Sequence, residues 1–178
     1  MIFALAMYLL IIGVLFLFYF TLLNSMRHEA PYVPTGRRDL RKILEAAQIK
    51  PGEVFYDLGR GDGRAVRAAA RLGARAIGFE QSSILVLWSR VIVWLQPRTP
   101  HHPVFVRGDY LKENLSPANV IFCYLMPKAM EHLKEKFAHD LKPGTRIVSR
   151  AFKIPGWTPQ ARLQVSRRTP PVYAYIKE

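Results

Sequence analysis

The residues of this sequence best placed to do chemistry are three acids, Asp57, Glu80 and Asp109, and the glycines of the stretch "DLGRGDGR", Asp57 to Arg64. Each acid closes a short apolar run: "VFYD", "AIGFE" and "VFVRGD". A carboxylate at the end of a strand can accept hydrogen bonds from hydroxyl, amine or ammonium groups of a ligand. Gly59, Gly61 and Gly63 alternate with Arg60, Asp62 and Arg64. A glycine loop between a strand and a helix commonly holds a nucleotide. The dinucleotide pattern G-x-G-x-x-G fails here, because Arg64 occupies the place of its third glycine. The phosphate loop fails too, since no G-K-[ST] follows. Pyrophosphate sites present bare N–H groups at a helix start, whereas Asp62 stands there and is expected to cap the helix. Two acids beside the loop suit a ligand with positive charge, such as one carrying an ammonium and a sulfonium. Asp57 is hard to explain as structure alone, since an unpaired carboxylate ending a buried strand is costly. Glu80, 21 residues beyond Gly59, suits the two hydroxyls of a ribose. Asp109 suits an exocyclic amine such as adenine N6.

The elements that must position these acids alternate along the chain. "RRDLRKILEAAQI" has the apolar spacing of a helix with a basic outer face, and "VFYDLG" reads as a strand. "GRAVRAAARLG" is a helix ended by Gly73. Its arginines Arg64, Arg67 and Arg71 share one face, expected to be solvated. "ARAIGFE" is a second strand, followed by a helix from Ser82 to Gln96 capped by Ser82 or Ser83. "PVFVRGD" and "ANVIFCYL" are further strands. Pro127 opens a helix through "KAMEHLKEKFAHDL", and "TRIVS" is a fifth strand. "ARLQVSRR" and "PVYAYIKE" form a closing antiparallel hairpin, with no room for a helix before it. Such alternation predicts an α/β, doubly wound, Rossmann-like sheet with that hairpin at one edge. Ligands of such sheets lie at the carboxyl ends of the strands.

Residues Ile2 to Leu23 carry no charge. As a helix of about 1.5 Å per residue they reach about 33 Å, against about 30 Å of bilayer hydrocarbon. No basic residue precedes the run and no small-x-small site ends it, so an uncleaved membrane anchor is expected rather than a signal peptide. Arg27, Arg37, Arg38, Arg41 and Lys42 follow it, which places the domain behind it in the cytoplasm. All of the net charge of +13 falls beyond the apolar run. It fits anionic lipid best, an acidic partner next, and nucleic acid least. The helix 82–96 is apolar on nearly every face. It is expected either to lie under a loop or a second subunit, or to dip Trp88 or Trp94 into the membrane interface. Cys123 is alone and expected in the core, and His101–His102 lack the companions a metal site needs.

The acid followed by G-x-G-x-G, at Asp57, Gly59, Gly61 and Gly63, resembles the first motif of the Rossmann-like S-adenosylmethionine-dependent methyltransferases. "PYVPT", "YDLGRGDGR", "GFE", "YLMP", "KPGTRIVSRAF" and "PGW" resemble a family of membrane-anchored lysine methyltransferases whose mitochondrial members modify ATP synthase subunit c and the adenine nucleotide translocase. The resemblance covers roughly Pro31 to Trp157. It implies S-adenosylmethionine as cofactor, with Asp57, Gly59, Glu80 and Asp109 binding it, Tyr32, Pro34 and Thr35 closing over it, and Tyr124 and Leu125 near the methyl group. Arg60, Gly61, Gln81 and Tyr110 complete the implied cofactor set. The chain departs from that family's pattern at Arg60, where serine is usual, at Gln81, where asparagine is usual, and at Arg150, where histidine is usual. Residues 1–23 are then the anchor, 24–36 a linker and cofactor-closing segment, and 37–178 the methyltransferase domain.

A lysine nucleophile must first lose its proton, and an apolar pocket favours the neutral amine. Tyr124 is the candidate to orient it, and Arg150, Phe152 and Trp157, after the fifth strand, are candidates for the substrate rim. The expected substrate is a membrane protein carrying a lysine, at a prokaryotic or mitochondrial inner membrane, with no metal and no nucleic acid. A lipid or quinone methyltransferase and a non-catalytic cofactor-binding protein are the competing readings.

Overall fold

A computed structural model describes residues 2–27, 35–59, 61–94, 99–164 and 169–178. The chain forms two compact units, Met1–Tyr32 and Val33–Glu178. The first contains helix α1 (Ile2–Arg27), four residues longer than the expected anchor. Among the described residues no helix is long and apolar enough to cross a membrane. The transmembrane span is thus not established by the described structure.

The second unit is built on seven strands: β1 (Val54–Leu58), β2 (Arg75–Glu80), β3 (Val104–Arg107), β4 (Val120–Cys123), β5 (Arg146–Arg150), β6 (Ala161–Leu163) and β7 (Val172–Ile176). Their order is β3-β2-β1-β4-β5-β7-β6. The first five are parallel, and β7 runs antiparallel between β5 and β6. The expected doubly wound sheet with its closing hairpin is therefore present. The central strands read as unbroken apolar runs because helices cover both faces, and all four residues of β4 are buried.

Helices α2 (Arg37–Ala47), α3 (Arg64–Arg71), α4 (Ser83–Trp94) and α5 (Pro127–Asp140) supply the outer layers. Leu40, Ile43, Leu44 and Ala47 of α2 join Ala65, Val66, Ala69 and Ala70 of α3 against Phe55, Val120, Phe122 and Val148. Side chains alternate along a strand, so Cys123 faces the other way, towards Met130 of α5. Cys123 is fully buried and its thiol is pushed up to about 12, chiefly by that burial. It is core, as expected. Pro127 sits in the first turn of α5, where its missing N–H removes nothing. The Ser82 hydroxyl accepts the Leu85 N–H at 3.5 Å and caps α4.

The α3 arginines overturn one expectation. Arg67 is buried and Arg64 is half-buried, so of the three only Arg71 is solvated as expected. Arg64 and Arg67 turn back onto the glycine loop.

Candidate active site

The parallel strands β1, β2 and β4 end together, and the loops that leave them converge. Gly59 donates its N–H to Phe79 O at 3.1 Å, which ties the glycine loop to β2. Gly59 has φ +69, and a Cβ there would come within 2.7 Å of Leu125 Cδ2. The positive φ favours glycine, and the near contact places Leu125, just past β4, directly against the loop. We expect Gly59→Ala to lose most cofactor binding and to lower the melting temperature by several degrees, read by calorimetry and circular dichroism. Wild-type binding in that variant would show that Leu125 yields freely.

Glu80 is held from two sides. Its Oε2 accepts the Gly61 N–H and its Oε1 accepts the Ser82 N–H, each at 3.0 Å. One carboxylate therefore fixes both the glycine loop and the start of α4. Each oxygen retains a second lone pair for a hydroxyl. Asp109 lies two residues beyond β3, where its Oδ1 accepts the Leu111 N–H at 3.0 Å and its carbonyl the Lys112 N–H at 2.8 Å. That Asx-type turn holds its carboxylate still. Asp57 is only 2% exposed, at the carboxyl end of β1. Its charge reaches the Cys123 thiol across the β1–β4 pairing and helps to raise it.

Asp62 is not the helix cap that the sequence leads one to expect. Arg64 clasps it, with Nε at 3.0 and 2.9 Å from its two oxygens and Nη2 at 2.6 Å from Oδ2. Arg67 donates to its carbonyl at 2.6 Å. Burial alone would push the Asp62 carboxyl up, but the hydrogen bonds and charge of Arg64 outweigh it and hold the group below the ordinary carboxylate range. The cap of α3 is Gly63 at φ 71, with no side-chain cap bond. Asp62 is therefore a loop brace whose charge Arg64 neutralises, not an acid offered to a ligand. The remaining Arg64 nitrogen, Nη1, donates to Thr35 O at 2.6 Å, so the same guanidinium holds the buried segment before α2. A carboxyl with a lowered folded-state pKa contributes stability that is fully present above its unfolded pKa and is lost as pH falls through the folded one. Acid titration should loosen this loop below the ordinary carboxylate range, and Asp62→Asn should remove that part of the acid sensitivity. Identical acid melting curves for the two proteins would refute the brace.

Tyr124 follows β4 and is half-buried, with the Arg150 guanidinium 5.0 Å from its ring centroid. Arg150 is not at an open rim as expected. It is 5% exposed, and its Nη2 meets Asp39 Oδ2 of α2 at 2.6 Å. Its Nε and Nη1 are buried without a hydrogen-bond partner among the described residues. The turn after β5 is pinned by the Ser149 hydroxyl, which donates to Phe152 O at 2.6 Å, and by Ala151 at φ 71. Trp157 stands apart. It packs edge-on against Tyr175, 6.3 Å between centroids, beside Lys177 and near the start of β5 rather than its carboxyl end. Gln81 is exposed and Tyr110 buried. Tyr32, Pro34 and Arg60 lie outside the described residues.

Together these residues fit S-adenosylmethionine. Glu80 matches a ribose diol, Asp109 an exocyclic amine, and Asp57 beside a close-approach glycine an ammonium group. The clasp by Arg64 and the Arg150–Asp39 pair are what sequence reasoning missed. The only signal for either was a charged residue where the pattern called for helix surface or loop.

Comparison with known proteins agrees with this geometry. Residues 57–161 match the model of the ANTKMT methyltransferase domain. The chain is 33% identical to a protein-lysine N-methyltransferase of Saccharolobus islandicus, over 83% of this chain and 94% of that one. It is 33% identical to the adenine nucleotide translocase lysine N-methyltransferase of Mus musculus, over 84% of this chain but 64% of the relative. Among solved structures it is similar to an RNA methyltransferase from Salinibacter ruber in complex with S-adenosyl-L-homocysteine. The TM-score is 0.75 at 34% identity, covering 81% of this chain and 93% of that one.

Proposed function

Because the chain belongs to the ANTKMT methyltransferase family, an S-adenosylmethionine-dependent enzyme family, we propose that it methylates lysine side chains of a membrane-associated protein. The observation that carries the choice of a lysine is the wall at the end of β4. Tyr124 and Leu125 stand there, followed by Met126 and Pro127, with no carboxylate among them. Leu125 is buried, and the Arg150 cation lies over Tyr124.

S-adenosylmethionine supplies an electrophilic methyl group on sulfur. The protein has three tasks around it. Asp57, Glu80 and Asp109 bind and orient it from three strand ends. Leu125 and the packed glycine loop keep water from the reacting atoms. Tyr124 orients the incoming amine through its hydroxyl or ring face. The amine must arrive neutral, and both the apolar wall and the nearby Arg150 cation favour the uncharged form. Positioning of this kind is the main contribution a protein makes to a displacement reaction.

The membrane part of the proposal rests on the sequence of α1, whose first 22 residues after Met1 are uncharged, and on the basic residues that follow. We place the catalytic domain on the cytoplasmic side, with a mitochondrial inner membrane as the alternative setting. A relative that acts on the adenine nucleotide translocase supports a membrane-protein substrate. Incubating the full chain with native membranes and methyl-labelled cofactor tests the proposal. Label should enter protein, and digestion should return it as methyl-lysine. Label confined to lipid or to RNA would replace this reading with another.

A further inference from the structure

The outer face of α4 is the largest feature that the active site leaves unused. Helix α4 turns one side to the sheet: Val86 is 4% exposed, Ser89 is fully buried, and Val93 packs on the core. Its opposite side is apolar and open. Leu87 is 66% exposed, Trp88 56%, Val91 41% and Trp94 82%. These positions fall at i, i+1, i+4 and i+7, one stripe of a helix. A solvent-facing helix carries polar residues there, and two open tryptophans on one stripe mark an interaction surface.

The charge around the stripe identifies its occupant. Residues 64–103 contain six arginines, two of which, Arg64 and Arg67, are turned onto Asp62, and a single acid, Glu80, whose two oxygens are already engaged by Gly61 and Ser82. Arg71 at the end of α3, Arg75 at the start of β2 and Arg90 on α4 are exposed. α3 and α4 both pack on β2, so these arginines lie on the elements that neighbour the stripe. A second copy of this chain would bring the same cations and be repelled. A surface that accepts tryptophan and leucine while offering negative charge is the head-group region of an anionic bilayer.

We propose that α4 docks the catalytic domain on an anionic membrane surface, with Leu87, Trp88, Val91 and Trp94 entering the interface and the neighbouring arginines meeting lipid head groups. This contact is additional to any anchoring by α1 and does not depend on the identity of the methyl acceptor. It also has a direct line to the cofactor site. The Ser82 N–H that opens α4 is held by Glu80, so the docked helix and the ribose-binding carboxylate share one hydrogen bond. The docked surface thereby fixes which way the strand ends face relative to the bilayer.

Tryptophan quenching reads this directly, because α1 contains no tryptophan and the chain has three, Trp88, Trp94 and Trp157. The full chain is reconstituted in vesicles of phosphatidylcholine and phosphatidylglycerol whose acyl chains are brominated near the head group. Trp157→Phe reports on the stripe, and the double variant Trp88→Phe with Trp94→Phe reports on Trp157. Quenching should be several-fold stronger in the first protein. It should weaken when phosphatidylglycerol is left out. Leu87→Ser with Val91→Ser, made in the Trp157→Phe background, should lose most of it while binding S-adenosylhomocysteine as before. Equal quenching of the two tryptophan reporters would overturn the proposal. So would unchanged quenching in the serine variant. Concentration-dependent self-association that buries the stripe without quenching would overturn it in favour of a second copy of this chain. Failure of lysine methylation would leave these readings untouched, so the two proposals fail separately.

Discussion

Alanine at Glu80 is expected to remove most binding of S-adenosylhomocysteine while the domain still folds. The carboxylate is aimed by two backbone N–H groups at 3.0 Å, and in the proposed function its remaining lone pairs meet the ribose hydroxyls. Hydrogen bonds to a charged group contribute about 1.5 to 3 kcal/mol each. Two lost ribose contacts therefore cost about 3 to 6 kcal/mol, or roughly a hundredfold to ten-thousandfold in affinity. Loosening of the Gly61 and Ser82 N–H groups adds to the loss. Asp57→Ala should act in the same direction, because Asp57 lies beside the loop at the end of β1. Calorimetric titration with S-adenosylhomocysteine measures both, and circular dichroism confirms that the fold survives. An affinity within about twofold of wild type, less than 1 kcal/mol, would remove Glu80 from the cofactor site.

The second large effect is on stability. Arg150 and Asp39 form a buried pair that joins the end of β5 to the first turn of α2. Removing one partner of such a pair leaves an uncompensated charge in the interior, at a cost of about 3 to 5 kcal/mol. Asp39→Ala should therefore lower the melting temperature by about 6 to 20 °C for a domain of this size. The double replacement Asp39→Leu with Arg150→Met should melt above either single variant, because no charge is then left buried. Additive losses in that cycle would show that the two side chains do not depend on each other.

Much of this was legible in the sequence for a physical reason. Parallel strands buried on both faces must be continuous apolar runs, and "VFYDL", "RAIGFE" and "VIFC" are such runs. The positions of Asp57, Glu80 and Asp109 followed directly, since each closes a run. Ser82 and Pro127 marked helix starts that the structure keeps. What the sequence did not reveal depends on contacts between distant residues. Asp62 reads as a helix cap until Arg64 folds over it. Arg150 reads as loop surface, because its partner lies 111 positions away in α2. Trp157 reads as a rim residue because it follows β5, but the chain doubles back and sets it against Tyr175. The cofactor site is thus written in local patterns, and the braces around it are written in pairs that only the fold brings together.

The placement of β7 has a consequence for the order of events during synthesis. β7 is made after every other strand of the sheet, yet it fills an interior position between β5 and β6. Until it emerges, β5 has an open edge, Ile154 lacks the Tyr175 hydroxyl that accepts its N–H at 3.1 Å, and β6 has no partner. The glycine loop and Glu80 are complete much earlier in the chain. The nascent protein therefore holds the glycine loop and Glu80 before the sheet that rigidifies them can close around β7.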